Sequence, residues 1–163
     1  MKEMIAFALS AVMTLSLAAC GGNGKTDGTS AQIPDPFTEC ETMEDAAKLV
    51  GFDFEVPDAV DGKERTAIRV DAEGKLVEVV YGNEDEKTVI RKAEGSEDIS
   101  GDYNQYVESN TITVGELQVT MKGESGQVQL AIWANSGYTY SIGIYDENGL
   151  SSDVMAELVA TVR

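Results

Sequence analysis

The chain of 163 residues has 42% hydrophobic and 25% charged residues, a composition typical of one globular domain and not of a disordered chain. Its 29 acidic and 12 basic side chains give a net charge of -17, which excludes nucleic acid as a partner, because phosphate contacts require clustered lysine and arginine. The chain contains no histidine, so Ser-His-Asp catalysis, Cys-His catalysis and zinc sites with histidine ligands are excluded as well.

The first residues have the features of an export signal. Residues 4–19 form an uncharged apolar run after Lys2, and this run is shorter than the roughly 20 apolar residues that a membrane-spanning helix needs. It ends in the sequence LAAC, whose cysteine is Cys20. This ending resembles the bacterial lipobox, in which a lipid is attached to the cysteine thiol before cleavage on its N-terminal side. The resemblance implies a signal peptide over residues 1–19, a Cys20 that carries acyl chains such as palmitate, and a membrane anchor on the extracytoplasmic face.

A linker and one folded domain are predicted after the signal. Residues 20–39 are rich in glycine, serine, threonine and proline and have almost no apolar periodicity, which predicts a flexible linker after the acylated Cys20. Residues 40–163 are predicted to form a single domain. Cys40 would then be a lone thiol, since Cys20 is used by the lipid.

Two helices are predicted at the ends of this domain. Thr42 followed by Asp45 has the pattern of a helix N-cap, and Gly51 ends that short helix. Ser151 is the predicted N-cap of a final helix that runs to the C-terminal residue. Strands are predicted between the helices over residues 52–56, 64–71, 75–81, 87–93, 105–114, 116–122, 127–134 and 138–145. Short turns join most of them, so the predicted fold class is α+β, an antiparallel meander sheet with both helices packed on one face.

The C-terminal part of the chain resembles a known domain family. Residues 129–162 contain a strand ending near a tryptophan, a tight turn, a tyrosine-containing strand, Leu-Ser and a final helix. This pattern is similar to the C-terminal part of an uncharacterised domain family of Gram-positive exported lipoproteins and anti-sigma-factor-like proteins. Residues 52–60, with their Val-Pro, resemble the entry strand of the same family. The resemblance implies an α+β fold and a place at the cell membrane, and it carries over no catalytic residue.

Acidic loops raise two chemical alternatives. Asp98, Ser100, Asp102 and Asn104 alternate along one loop. Of these, Asp98, Asp102 and Asn104 are weak candidates for calcium ligands, although no loop has the spacing of an EF-hand. Two facing carboxylates would suit a hydrolase, but the sequence does not identify a pair that meets across a cleft. The preferred interpretation of these loops is solvated turn residues, with no metal and no cofactor.

The hairpin near the C-terminus suggests a ligand-binding surface. A three-residue turn at 135–137 would pair Ala134 with Tyr138, so that the even-numbered residues of the first strand face the core. The opposite, more polar face would then hold four candidate ligand-binding residues: Trp133, Tyr145, Gln129 and Ser141. The alternative is that Trp133 is buried. A one-residue shift of register would exchange the two faces of that strand and remove the predicted surface.

These features together predict a non-enzymatic, membrane-anchored extracytoplasmic lipoprotein that binds or senses a small ligand or an envelope protein. The first alternative is a structural or assembly component of an envelope complex. The second is a hydrolase that uses carboxylates. No nucleic acid is expected as a partner.

Overall fold

The computed structural model describes residues 35–73 and 75–163, and Asp35–Arg163 form one compact unit. The predicted signal peptide, Cys20 and most of the predicted linker lie outside the described residues. The described part contains helices α1 (Met43–Val50) and α2 (Ser152–Thr161). Its strands are β1 (Thr38–Cys40), β2 (Ala59–Val60), β3 (Lys63–Asp71), β4 (Leu76–Gly82), β5 (Lys87–Glu94), β6 (Glu108–Val114), β7 (Leu117–Glu124), β8 (Gln127–Asn135), β9 (Tyr138–Tyr145) and β10 (Leu150–Ser151). The predicted α+β class with antiparallel pairing is confirmed.

The strands form two meanders that meet in the middle of one sheet. Its order is β1-β3-β4-β5-β9-β8-β7-β6, with β2 paired to β3 and β10 paired to β8. The order therefore differs from a single meander, because β5 pairs with β9 and not with β6. The long loop, residues 95–107, carries the chain from β5 to the far edge of the sheet. Such a length permits a crossing that a short hairpin turn does not.

Both predicted helix starts are confirmed by their capping bonds. The Thr42 hydroxyl accepts a hydrogen bond from the Asp45 backbone N–H at 3.1 Å, and the Ser151 hydroxyl accepts one from Val154 at 3.4 Å. Gly51 ends α1 with a left-handed φ of 86°, a conformation that glycine adopts without a Cβ clash. These signals lie within a few residues of one another, which is why the sequence alone reveals them.

The predicted strand at 52–56 was wrong, because this extended segment joins no sheet of the described residues. Its backbone is held at Glu55, whose N–H donates to the Arg163 carbonyl oxygen at 2.8 Å and whose carbonyl oxygen accepts from the Arg163 N–H at 3.0 Å. Side chains hold it as well. The Lys92 ammonium donates a hydrogen bond to the Asp53 carbonyl oxygen at 2.5 Å. The rings within 6 Å of that ammonium belong to Phe52, Phe54, Tyr138 and Tyr140. Burial lowers the pKa of Lys92, and the aromatic faces offset part of the cost of its desolvation.

One face of the sheet, the core face, carries most of the apolar core. A row of paired residues runs across it, formed by Val79, Ile90, Ile142, Ala131 and Met121. All five are buried and belong to one hydrophobic cluster that also contains residues of both helices.

The other side, the second face, carries Glu78, Arg91, Ser141 and Ile132 in the neighbouring row of paired residues. Arg91 donates hydrogen bonds to the backbone carbonyl oxygens of Ile99 and Ser100. The long loop is therefore attached to the second face.

The predicted register of the β8–β9 hairpin was wrong by one residue. Asn135 pairs with Tyr138, so the turn has two residues, Ser136 and Gly137, with φ values of 52° and 84°. Two positive φ values are typical of a type I′ turn, whose twist suits a hairpin. The shift places Trp133 opposite Tyr140 on the core face, where it is 3% exposed.

Candidate functional site

A polar cleft lies between the end of the long loop and the ends of β8 and β9. Its volume is about 340 Å³. The lining residues are Asn104, Gln105, Tyr106, Glu124, Gln129, Ile144, Tyr145 and Asp146. The cleft thus combines two aromatic rings with amide and carboxylate groups, the mixture that holds polar ligands through both ring contacts and hydrogen bonds.

A β-bulge places Gln129 in this cleft. On β7, Lys122 pairs with Leu130 and Gly123 pairs with Val128, so Gln129 is the extra residue of β8. A Cβ on Gly123 would lie 1.9 Å from the Gln127 carbonyl oxygen. The close approach of β7 and β8 at the bulge therefore requires a glycine at this position. Bulges commonly redirect a side chain near a binding site, and this one brings Gln129 to the cleft although the register of β8 differs from the prediction.

Tyr145 forms a half-buried wall of the cleft. A Cβ on Gly143 would lie 2.8 Å from Cε2 of the Tyr145 ring, so the ring folds back over the glycine of its own strand. The Lys87 ammonium lies 5.4 Å from the centre of the same ring. Burial raises the pKa of Tyr145, and the nearby Arg91 partly opposes that rise. The phenol therefore stays protonated near neutral pH and is available as a hydrogen-bond donor.

The long loop contributes Tyr106, whose hydroxyl donates a hydrogen bond to the Asp102 carboxylate. Burial raises the pKa of Tyr106, and the hydrogen bond to Asp102 raises it further. Asp102 also accepts a hydrogen bond from the Asn104 backbone N–H at 2.8 Å. These contacts hold Tyr106 in a defined position in the loop. Tyr106 was not among the predicted ligand-binding residues, although its spacing of four residues from Asp102 is visible in the sequence.

The structure brings together two of the four predicted ligand-binding residues. Gln129 and Tyr145 line the same cleft. Trp133 lies instead in the core and stacks on Tyr140, with ring centres 5.3 Å apart. Ser141 lies on the second face and is 2% exposed. The predicted surface around Trp133 therefore does not exist in the described domain, because the two-residue turn exchanges the faces of β8.

The weak calcium candidates bond to their own loop. Asp98 accepts a hydrogen bond from the Ser100 N–H at 2.9 Å. Asp102 accepts hydrogen bonds from the Asn104 backbone N–H and from the Tyr106 hydroxyl. Within residues 35–73 and 75–163, no group of three or more acidic or cysteine side chains is arranged to hold a metal ion.

Three charged side chains on the second face support the loop that builds the cleft. Glu78 is 1% exposed and pairs with both Arg69 and Arg91. Arg91 also holds Ile99 and Ser100 of the long loop, so the position of Tyr106 depends indirectly on this ion cluster.

The Cys40 thiol lies apart from the cleft, at the end of β1. Burial raises the pKa of the thiol, and the Asp45 carboxylate adds to the rise. Asp45 was not predicted as a neighbour of this thiol. A raised pKa leaves little reactive thiolate near neutral pH.

Comparison of the chain with protein-family models, curated proteins and solved structures finds no match. Membership of the uncharacterised lipoprotein domain family therefore stays a prediction. In the part of the chain that the structure describes, neither helix has the length and apolar character to span a bilayer.

Proposed function

We propose that this protein is a membrane-anchored extracytoplasmic lipoprotein whose domain binds a small polar ligand without catalysing a reaction. The observation that carries the proposal is the convergence of Tyr106, Gln129 and Tyr145 on one polar cleft. Two phenol rings and an amide are the groups with which proteins hold sugars and other amphipathic ligands.

The architecture supports this proposal, because strands form one wall of the cleft and the long loop forms another. We infer that both helices cover the core face, because Ala46 and Val50 of α1 and Met155 and Val159 of α2 belong to the cluster of the core-face row. Covering that face with helices leaves the second face and its loop to form the cleft. Tyr145 and Gln129 come from paired strands, and a site built on strands is held more firmly than one built on loops alone.

The test of the cleft uses the full chain purified in detergent and oligosaccharides of N-acetylglucosamine as the probe, measured by titration calorimetry. We expect Tyr145→Ala to weaken binding roughly tenfold, because the ligand loses the ring that forms one wall of the cleft. Tyr103→Ala is the matched control, since Tyr103 is 96% exposed in the same loop as Tyr106 and does not line the cleft. Equal effects of the two substitutions, or no binding by the unchanged protein, would reject this ligand class.

The anchor is tested separately at Cys20. Cys20→Ala should remove the protein from the washed membrane fraction or leave it there as an uncleaved precursor, because acyl chains would no longer be attached. Membrane association and mass, measured with and without globomycin, distinguish these outcomes from the processed lipoprotein. An unchanged mass and unchanged membrane association in the Cys20→Ala variant would contradict the proposed anchor.

An assembly role in an envelope complex is the second candidate, and it is favoured by the outer side of β6, with which no strand of residues 35–73 and 75–163 pairs. A protein of this kind would bind through main-chain pairing at a strand edge and would not need the cleft. Tyr145→Ala would then leave the association of the protein with the envelope complex unchanged.

A further inference from the structure

The two edges of the sheet differ in how they are protected. At one edge β1 has three residues, and β2 pairs with only the first residues of β3. The neighbouring part of β3 contains Lys63, Glu64 and Arg65, and its pairing is interrupted by an irregularity between Arg65 and Ala67. Short strands, charges and bulges are the features that prevent unwanted pairing at an edge.

The opposite edge, β6, is longer and regular, and its single charged residue is Glu108 at its start. Its seven residues pair with β7 from Glu108 to Val114 without a shift of register. Residues 109–115 carry no charge, in a chain whose net charge is -17, and they contain no proline. Within residues 35–73 and 75–163 no strand pairs with the outer side of β6. A regular edge that is uncharged over most of its length, and with whose outer side no described strand pairs, is a template for another strand.

We propose that β6 pairs antiparallel with β6 of a second copy of this chain, about a two-fold axis at Thr111. Thr111 then faces its own equivalent, Ser109 faces Thr113, and Glu108 faces Val114. Hydroxyl side chains meet hydroxyl side chains on one face of the extended sheet. The acidic residue at the start of β6 meets an apolar residue, so the pairing creates no directly opposed like charges. A two-fold contact of this kind closes on itself and forms a dimer.

The same pairing explains why a second copy suits this edge better than an unrelated charged strand. Ser109, Asn110, Thr111 and Thr113 are exposed, and none of them is charged. Ile112 and Val114 are only partly buried against the core, and each would be covered further by the second strand. A strand pair alone buries less than the roughly 1,000 Å² of a stable interface, so the dimer is expected to be weak.

The net charge gives the dimer a characteristic dependence on salt. Two copies that each carry -17 repel one another, and the uncharged edge is where their approach costs least. Raising the salt concentration from about 0.05 M to about 0.5 M shortens the Debye length and reduces this repulsion. The dimer fraction should therefore rise with salt, whereas an association driven by opposite charges would fall.

The test is disulfide trapping in the full chain, purified in detergent, with Cys40→Ser in every variant. In the proposed register, equivalent Thr111 Cα atoms lie about 4.5 to 5.5 Å apart, which permits a disulfide. Equivalent Thr113 Cα atoms lie roughly 14 Å apart, beyond the reach of a disulfide. Thr113→Cys is thus the matched control, on the same strand and facing the same side as Thr111→Cys. The parent variant without an added cysteine measures any background from Cys20.

We expect Thr111→Cys to give roughly fivefold more cross-linked dimer than Thr113→Cys under mild oxidation, because only the first pair meets disulfide geometry. A mixture of Ser109→Cys and Thr113→Cys should give a mixed dimer, since these positions face each other. Equal cross-linking of Thr111→Cys and Thr113→Cys would indicate random collision and overturn the proposal. The proposal is overturned as well if cross-linking of Thr111→Cys at high salt does not exceed that of the parent variant. The edge at β6 would then be expected to pair with a different protein.

Discussion

Replacing Glu78 by glutamine should lower the free energy of unfolding by about 3 kcal/mol, because the change leaves two guanidinium groups beside a neutral amide. Glu78 is 1% exposed, and the side chains of its partners Arg69 and Arg91 are 33% and 17% exposed. A buried charge that loses its partner retains its desolvation cost and loses the attraction that offset it. Denaturant unfolding, followed by circular dichroism, measures the change.

Glu84→Gln is the matched control for this prediction, since Glu84 is an exposed glutamate in the β4–β5 turn. Its substitution should change the free energy of unfolding by less than about 0.5 kcal/mol. The double variant Glu78→Gln, Arg69→Gln should be more stable than Glu78→Gln alone, because one uncompensated guanidinium has been removed. A double variant less stable than the single one would contradict the assignment of Glu78 as the shared partner.

Replacing Trp133 by alanine should lower the free energy of unfolding by about 3 to 5 kcal/mol, the usual cost of removing a buried large aromatic side chain. The tryptophan is 3% exposed and stacks on Tyr140 with an angle of 5° between the rings. The substitution removes both the buried area and the ring contact. Tyr103→Ala is the control, because Tyr103 is 96% exposed and its loss removes little packing.

The chain contains a single tryptophan, so fluorescence reports on Trp133 alone. The native protein should emit at the short wavelengths of a buried indole and resist quenching by acrylamide, and both properties should disappear on unfolding. Strong quenching in the native state would mean that Trp133 lies at the surface, as the three-residue turn predicts, and that the register described above does not hold in solution.

The elements with local signals could be predicted from the sequence. Thr42, Gly51 and Ser151 mark helix ends through bonds or conformations that involve residues three or four positions away. The strand at Tyr138–Tyr145 has its predicted bounds, because it alternates and is bordered by turn residues on both sides. The membrane anchor also has a local signal at Cys20, and it stays a prediction.

The register of β8 could not be decided in this way, because its apolar residues occupy both faces. Leu130 and Ile132 lie on the second face, whereas Ala131 and Trp133 lie on the core face. When both sides of a strand are apolar, shifting it by one residue changes the hydrophobic pattern very little. The turn then decides the register, and Ser136 adopts a positive φ that is uncommon for a residue other than glycine.

The candidate cleft depended still more on tertiary structure. Tyr106 comes from the long loop, Gln129 from a bulge and Tyr145 from the end of β9, and only the pairing of β5 with β9 brings the loop over that end of the sheet. The sequence by itself determined the composition, the helix caps and most of the strands, because these depend on neighbouring residues. The tertiary structure decided which residues share a face or a cleft, because long-range strand pairing is selected by the packing of the whole domain.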